Sequence, residues 1–343
     1  MKKMLNTLYV TTQGSYLFKD GETVSIKIEN EVRLRLPIHT LSSIVCFGQV
    51  TCSPFLLHHC AEKDVSVSFL STQGRFLARV QGPVSGNVLL RREQYRQSDD
   101  ADDAAEIARS FLIGKITNSM SVLNRLLRDH RDKTNSTAIE IALAALRTHL
   151  KSLSTTNPLD HLRGIEGSAA HTYFEVFDHL ILAQKESFQF KGRNRRPPLD
   201  PVNCLLSFVY TLLYHDACSA LESVGLDPAV GFLHRDRPGR MGLALDLMEE
   251  LRPYLADRLV LSLINLGKVK KNGFDKSESG AVLMNDDTRK IVLIAYQERK
   301  KEEITHPFLQ EKIPIGMILF AQAQLLSRYL RGDLDGYPPF IWR

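Results

Sequence analysis

Residues 231–253, GFLHRDRPGRMGLALDLMEELRP, hold one imidazole, His234, and two carboxylates, Asp246 and Glu249, three positions apart in a strongly helical run. That spacing is close to one helical turn, so both acids share a face. Leu243, Leu245, Leu247, Met248 and Leu251 surround them, which predicts a largely apolar helix packed on more than one side. Carboxylates in such surroundings are costly unless they are paired or bound to a metal. Arg235, Arg237 and Arg240 lie in the loop between. A carboxylate-plus-imidazole set beside arginines points to a metal ion acting on a phosphate. One face of one helix cannot surround an ion, so a third ligand has to come from elsewhere. His234 is near, across a loop that can fold back. The other candidate is Glu166, in RGIEGSAA (163–170), where small residues on both sides of the acid let another helix approach closely. A plain helix crossing, with the glutamate paired to a nearby arginine, fits the spacing equally well.

Two carboxylates with one imidazole suit Mn²⁺ or Mg²⁺; zinc is less expected without thiolates. A divalent ion can polarise a phosphodiester and lower the pKa of a hydroxyl nucleophile. Phosphoryl transfer needs mainly positioning and charge neutralisation, so no protein nucleophile is required. A second basic cluster, Lys191, Arg193, Arg195 and Arg196, precedes Pro197-Pro198. The prolines favour an extended backbone from which these arginines would project. Lys268, Lys270 and Lys271, and Arg299, Lys300 and Lys301, close helices, where cations also satisfy the helix dipole. No G-x-S-x-G, Walker loop or G-x-G-x-x-G is present.

These groups need elements to position them. A chain of 343 residues with 43% hydrophobic content suits two domains. The formal charge of +5 is compatible with a polyanion partner without requiring one. Cys46, Cys52, Cys60, Cys204 and Cys218 form no C-x-x-C pair and read as reduced, mostly buried thiols. The N-terminus has no signal-peptide core, and the longest apolar window, 313–330, is interrupted by Gln322, Gln324 and Arg328. The expectation is a soluble cytoplasmic protein without a membrane span. Strands are expected at 5–12, 15–18, 24–28, 32–36, 42–47, 65–70 and 75–80, with a hairpin at Asp20-Gly21. Ser53 and Pro54 predict a capped helix over 54–62. After a turn-rich stretch at 82–86, the acidic run at Asp99, Asp100, Asp102 and Asp103 begins a helix through about 131. Further helices are expected at 136–152, 158–188, 200–223, 242–252, 253–266, 286–303 and 314–332, with Pro253 starting the second of a broken pair. The fold class is therefore α+β: a small N-terminal β-sandwich-like domain, 1–86, followed by a large all-α domain, 87–343.

Four segments in this order, RGIEGSAAHTYF (163–174), RRPPLDPVNCLLSFVYTLL (195–213), VGLDPAVGFLH (224–234) and GRMGLALDLMEELRP (239–253), resemble the CRISPR-associated adaptation integrases of the Cas-one family. LNTLYVTTQGSYL, GRFLARVQGPVSGN and LLRREQYR in the N-terminal half resemble the branch accompanying type I-C systems. The resemblance implies an N-terminal β domain mediating homodimerisation and a helical domain carrying a Mg²⁺ or Mn²⁺ site. It places catalytic roles on Glu166, His234, Asp246 and Glu249. Glu166, His234 and Glu249 rank as metal ligands, and Asp246 is either a ligand or a support behind one. Where relatives often carry aspartate, this chain has Glu249. Two dimers would assemble around a dimer of a small Cas-two partner as a heterohexamer. The assembly would hold a short DNA duplex and insert it into the CRISPR array by 3′-hydroxyl attack. Arg193, Arg195, Arg196, Arg235, Arg237 and Arg240 would hold backbone phosphates of double-stranded DNA. The alternatives are a metal-dependent nuclease acting on branched or single-stranded DNA in repair, and a non-catalytic DNA-binding scaffold.

Overall fold

The computed structural model describes residues 6–72, 74, 76–80, 88–153 and 157–342. The chain divides into two compact units, 1–86 and 87–343. In the first, β1 (Asn6–Val10), β2 (Tyr16–Asp20), β3 (Thr23–Ile28), β4 (Glu31–Pro37), β5 (Leu41–Phe47) and β6 (Thr51–Cys52) precede helix α1 (Pro54–Glu62), with β7 (Ser66–Leu70) and β8 (Phe76–Val80) after it. They form two four-stranded sheets, ordered β1-β5-β7-β8 and β4-β3-β2-β6. Strands β1, β5 and β7 run parallel, which requires a crossover, and α1 supplies the one between β5 and β7. The expected cap is present: Ser53 Oγ accepts from Leu56 N at 3.2 Å. The β2–β3 hairpin turns at Gly21, where φ is +59° and a side chain would be strained. Leu17, Val24 and Ile26 of one sheet pack with Ile44, Cys46 and Val67 of the other over Leu56 of α1, so this domain has the sandwich character expected. The turn-rich segment at 82–86 lies outside the described residues.

The second unit contains α2 (Val88–Asp99), α3 (Ala101–His130), α4 (Ser136–Ser152), α5 (Leu159–Glu175), α6 (Pro201–Ser223), α7 (Gly242–Glu249), α8 (Arg258–Asn265), α9 (Asp286–Lys301) and α10 (Ile318–Leu330). Two small hairpins interrupt the helices: β9 (Phe274–Lys276) with β10 (Val282–Met284), and β11 (Glu303–Thr305) with β12 (Lys312–Pro314). Asp100 caps α3 by accepting from Asp102 N and Asp103 N.

Three elements differ from expectation. Residues before the acidic run form a helix of their own, α2, in which buried Gln94 ties down the loop ahead of His234: it donates to Asp227 O and Val230 O, both at 2.8 Å. Helix α5 stops at Glu175 rather than near 188, with a short 3-10 turn and irregular chain up to α6. Pro253 does not open an ordinary helix but lies in a π-helical turn, Arg252–Asp257, wedged between α7 and α8; such turns cluster at functional sites. The most membrane-like helix is α6, not 313–330: it has the length and hydropathy of a span, yet 67% of its apolar window is buried inside the domain. It is the helix against which α7 and α10 pack. All five cysteines are free thiols, and only Cys52 is more than slightly accessible.

Candidate metal centre

Helix α7 delivers both acids fully buried, and their chemistry is set by different neighbours. Asp246 turns toward the loop 231–234. One of its oxygens accepts from Phe232 N at 2.7 Å and Leu233 N at 3.0 Å; the other accepts from His234 N at 3.0 Å and lies 2.5 Å from His234 Nδ1. This wrapping needs a glycine at 231: a Cβ there would stand 2.7 Å from the Gly242 carbonyl carbon and 2.8 Å from Asp246 Oδ2. With both oxygens engaged, Asp246 orients the imidazole. When Nδ1–H donates to this carboxylate, the lone pair of Nε2 is presented outward. Nε2 stands 4.0 Å from Glu249 Oε1.

Glu249 is held by charge. Arg252 NH1 lies 2.5 Å from Oε1 and Lys115 Nζ 2.8 Å from Oε2, yet neither buried oxygen has a well-directed hydrogen bond. Lys115, on α3, also pairs with Glu166 on α5. Arg163 of α5 donates to Leu233 O at 2.7 Å, which ties the Glu166 helix to the His234 loop. Thus α3, α5, α7 and the loop bring Glu166, Glu249 and His234 to one place, with an ammonium between the two glutamates. Among the described residues no three His, Cys, Asp or Glu side chains are grouped closely enough to hold a metal ion as they stand. The donor set nevertheless fits a hard dication. Two carboxylates and one imidazole supply the donors, and the Glu249 oxygens, though beside Arg252 and Lys115, have no well-directed hydrogen bond.

Burial alone would raise the Glu249 carboxyl, but Arg252, Lys115 and His234 hold it down to about 2. A folded value below the unfolded one means that the pairing stabilises the fold above pH 4.5 or so and is lost as pH falls through the folded value. The contribution is on the order of 3 kcal/mol. Acid unfolding should therefore show the stability gap between the parent and Glu249→Gln narrowing from pH 5 toward pH 2. A gap that stays constant over that range would remove this account of Glu249.

A small cleft of about 30 Å³ opens at Glu166, lined by Lys115, Arg195, Tyr210, Arg252 and Asp257 among others. Tyr210 donates to Asp257 at 2.6 Å, and the guanidinium groups of Arg193 and Arg252 each lie 5.3 Å from its ring centroid. Burial pushes the Asp257 carboxyl up to about 6 against these neighbours. The basic residues named from sequence separate here. Arg195, Arg196, Arg235 and Arg237 are exposed, although Arg235 pairs with Asp160 at 2.9 Å. Arg240 is partly buried, and burial and the Arg237 charge lower its pKa. Arg193 does not project as expected: it turns inward to Asn203 Oδ1 at 2.7 Å and Ser207 Oγ at 3.2 Å. Partners on α6 hold its side chain instead of leaving it to project.

Lys115, Arg252, Tyr210 and Asp257 were not anticipated. Lys115 carried a readable signal, since a lysine lies on the face of α3 that buries Phe111, Leu112 and Ile116. Arg252 carried another, three positions after Glu249.

Residues 8–298 match the family model described as CRISPR associated protein Cas1. The chain belongs to the Cas1 family. A Chlorobaculum tepidum protein named CRISPR-associated endonuclease Cas1 is 58% identical over 343 residues, covering 100% of both chains. The Cas1 relative from Moorella thermoacetica is 46% identical, again over 100% of both. Among solved structures, a Cas1 protein from Thermotoga maritima superposes with a TM-score of 0.83 at 23% identity, covering 95% of this chain and 97% of that one. A casposase bound to integration product gives 0.85 at 22%, covering 99% and 95%. At such identities the two structures establish the shared fold, a β domain followed by a helical Cas1 domain.

Proposed function

We propose that this Cas1-family chain is a divalent-metal-dependent DNA endonuclease and integrase of CRISPR adaptation. It would join the 3′-hydroxyl ends of a short captured duplex to repeat-boundary phosphodiesters. The observation that carries this reading is the convergence of Glu166, Glu249 and the outward nitrogen of His234 from three separate elements. The name of the Chlorobaculum tepidum relative, an endonuclease, supports the activity. The casposase solved with its integration product supports strand joining on this fold.

Glu166, His234 and Glu249 would hold Mg²⁺ or Mn²⁺. When bound, the ion activates a hydroxyl and neutralises charge on the phosphoryl oxygens. The chain's own residues do the rest. Asp246 fixes the tautomer and tilt of His234. Lys115 and Arg252 place positive charge beside the carboxylates, where a dianionic phosphorane-like transition state needs it. The exposed arginines 195, 196, 235 and 237, with Arg240 beside them, hold backbone phosphates without reading bases, so binding weakens steeply with salt. Residues 1–86 would mediate homodimerisation, and two dimers would assemble with a Cas2 dimer in the cytoplasm.

The test is a strand-transfer assay on a supercoiled array plasmid. Half-site products that require a 3′-hydroxyl donor support integration; nicked plasmid alone, whatever the donor, would identify a nuclease instead. His234→Ala should lower strand transfer at least about a hundredfold while DNA affinity stays within a few-fold, because the imidazole is separate from the exposed arginines. Loss of folding or of DNA binding in that variant would make His234 a core residue only.

A further inference from the structure

The π-helical turn that supplies Arg252 and Asp257 to the metal centre carries a second constellation on its other side. Tyr254 and Trp342 pack at a tilt of 50° with ring centroids 5.1 Å apart. Three guanidinium groups lie against these two rings: Arg258 at 4.2 Å from Trp342 and 5.5 Å from Tyr254, Arg299 at 5.4 Å from Tyr254, and Arg125 at 5.8 Å from Trp342. Arg299 is paired with Glu302, and Arg125 with Asp129 at 3.4 Å. Among the described residues Arg258 has no carboxylate at ion-pair distance and no hydrogen bond. Burial first, and then the charges of Arg299 and Arg125, pull its pKa down to about 10.

Stacking holds a guanidinium by its face and leaves all five N–H donors of its edge to be satisfied. Arg258 is therefore a half-buried cation with no ion pair among the described residues, although the Glu302 charge acts on it from beyond ion-pair distance. It opens onto a cavity of about 220 Å³ between α8 and α9, whose walls also carry Ser262, Leu266, Lys268 and Arg299, with Glu298 and Glu302. The two glutamates disfavour a dense anion, and Glu302 is already taken by Arg299. One singly charged group fits this balance.

We propose that the Arg258 cradle is a binding site for one backbone phosphodiester of a nucleic-acid strand, distinct from the surface formed by Arg195, Arg237 and Arg240. The planar fork of Arg258 matches two phosphoryl oxygens, and Lys268 and Ser262 supply further donors. No sheet edge lines the cavity, so an extended peptide could not be held there by strand addition. This inference rests on the reading of the chain as a DNA-joining enzyme. Such a reaction brings two DNA segments to one centre, so a second phosphate contact on the far side of the π-helical turn has a use.

The experiment measures affinity of the full chain for non-specific duplex and single-stranded DNA as a function of salt, with metal-binding affinity and thermal stability as parallel readouts. Arg258→Ala should weaken binding of at least one of the two by about tenfold at low salt and flatten its log–log salt slope by about one. Manganese affinity should stay unchanged, the melting temperature should fall by no more than a few degrees from the lost ring contacts, and Arg258→Lys should recover part of the loss of binding. An unchanged slope in Arg258→Ala while Arg195→Ala flattens it overturns this inference and leaves the proposed function standing. If neither variant changes the slope, the DNA-binding reading itself fails. Inorganic phosphate that binds at Arg258 without competing with DNA, or an oligoglutamate peptide whose binding alone depends on Arg258, would assign the cradle to a different anion and overturn the proposal.

Discussion

Glu166→Gln is expected to lower strand transfer by at least about a hundredfold, the largest loss of activity from a single near-isosteric change. Glu166 is 29% exposed at its side chain and its ion-pair partner is Lys115, which retains Glu249. The amide keeps size and shape but carries no charge, so it cannot neutralise Lys115 or ligate a hard dication. The fold should survive, because the buried Lys115, the donor to Glu166, keeps Glu249 as a partner. Manganese titration should lose affinity in parallel with the rate, while DNA affinity stays within a few-fold. Product formed at the parental rate would reduce Glu166 to an ion-pair partner and leave the chain a DNA-binding scaffold.

The largest loss of stability is expected from Glu250→Ala. Glu250 is fully buried one residue beyond Glu249. It accepts from Tyr337 Oη at 2.7 Å, Gln322 Nε2 at 2.9 Å and Phe340 N at 2.7 Å. Burial pushes its carboxyl up to about 8 despite these three donors. Helix α3 approaches closely because residue 114 is glycine, where a Cβ would stand 2.9 Å from Glu250 Cγ. Asn118 of α3 completes the latch by donating to the Glu250 and Phe340 carbonyls at 2.7 and 2.8 Å. The alanine variant strands two buried donors, Tyr337 Oη and Phe340 N, while Gln322 keeps Tyr337 Oη and Pro338 O; with the void it opens, the cost is roughly 3 to 5 kcal/mol. For a unit of this size the melting temperature should fall by on the order of 10 °C. Thermal unfolding followed by circular dichroism measures it, and a shift below about 2 °C would show that the chain after α10 is not held through this carboxylate.

Much of the layout was legible because it depends on residues close in sequence. Ser53 and Pro54 announce α1, Asp20-Gly21 announces the β2–β3 hairpin, and the acidic run announces α3, since caps and turns are satisfied within a few residues. The pairing of Asp246 with Glu249 on one helix face was equally local. The separate helix α2 was missed because its interior is polar, apart from Leu90, and its buried Gln94 acts on a loop far along the chain.

Where the elements lie, which acids share a helix face and which family's motifs the chain carries can be read from residue order, because periodicity and capping act over one or two turns. What each charged group does was settled by long-range packing. Packing gave the Asp246 oxygens to backbone amides and His234, set Lys115 between two glutamates, turned Arg193 inward, and laid Arg258 over Trp342 with no ion pair among the described residues. Those outcomes depend on how closely helices cross and how much water is excluded, and neither quantity is written in the local order of residues.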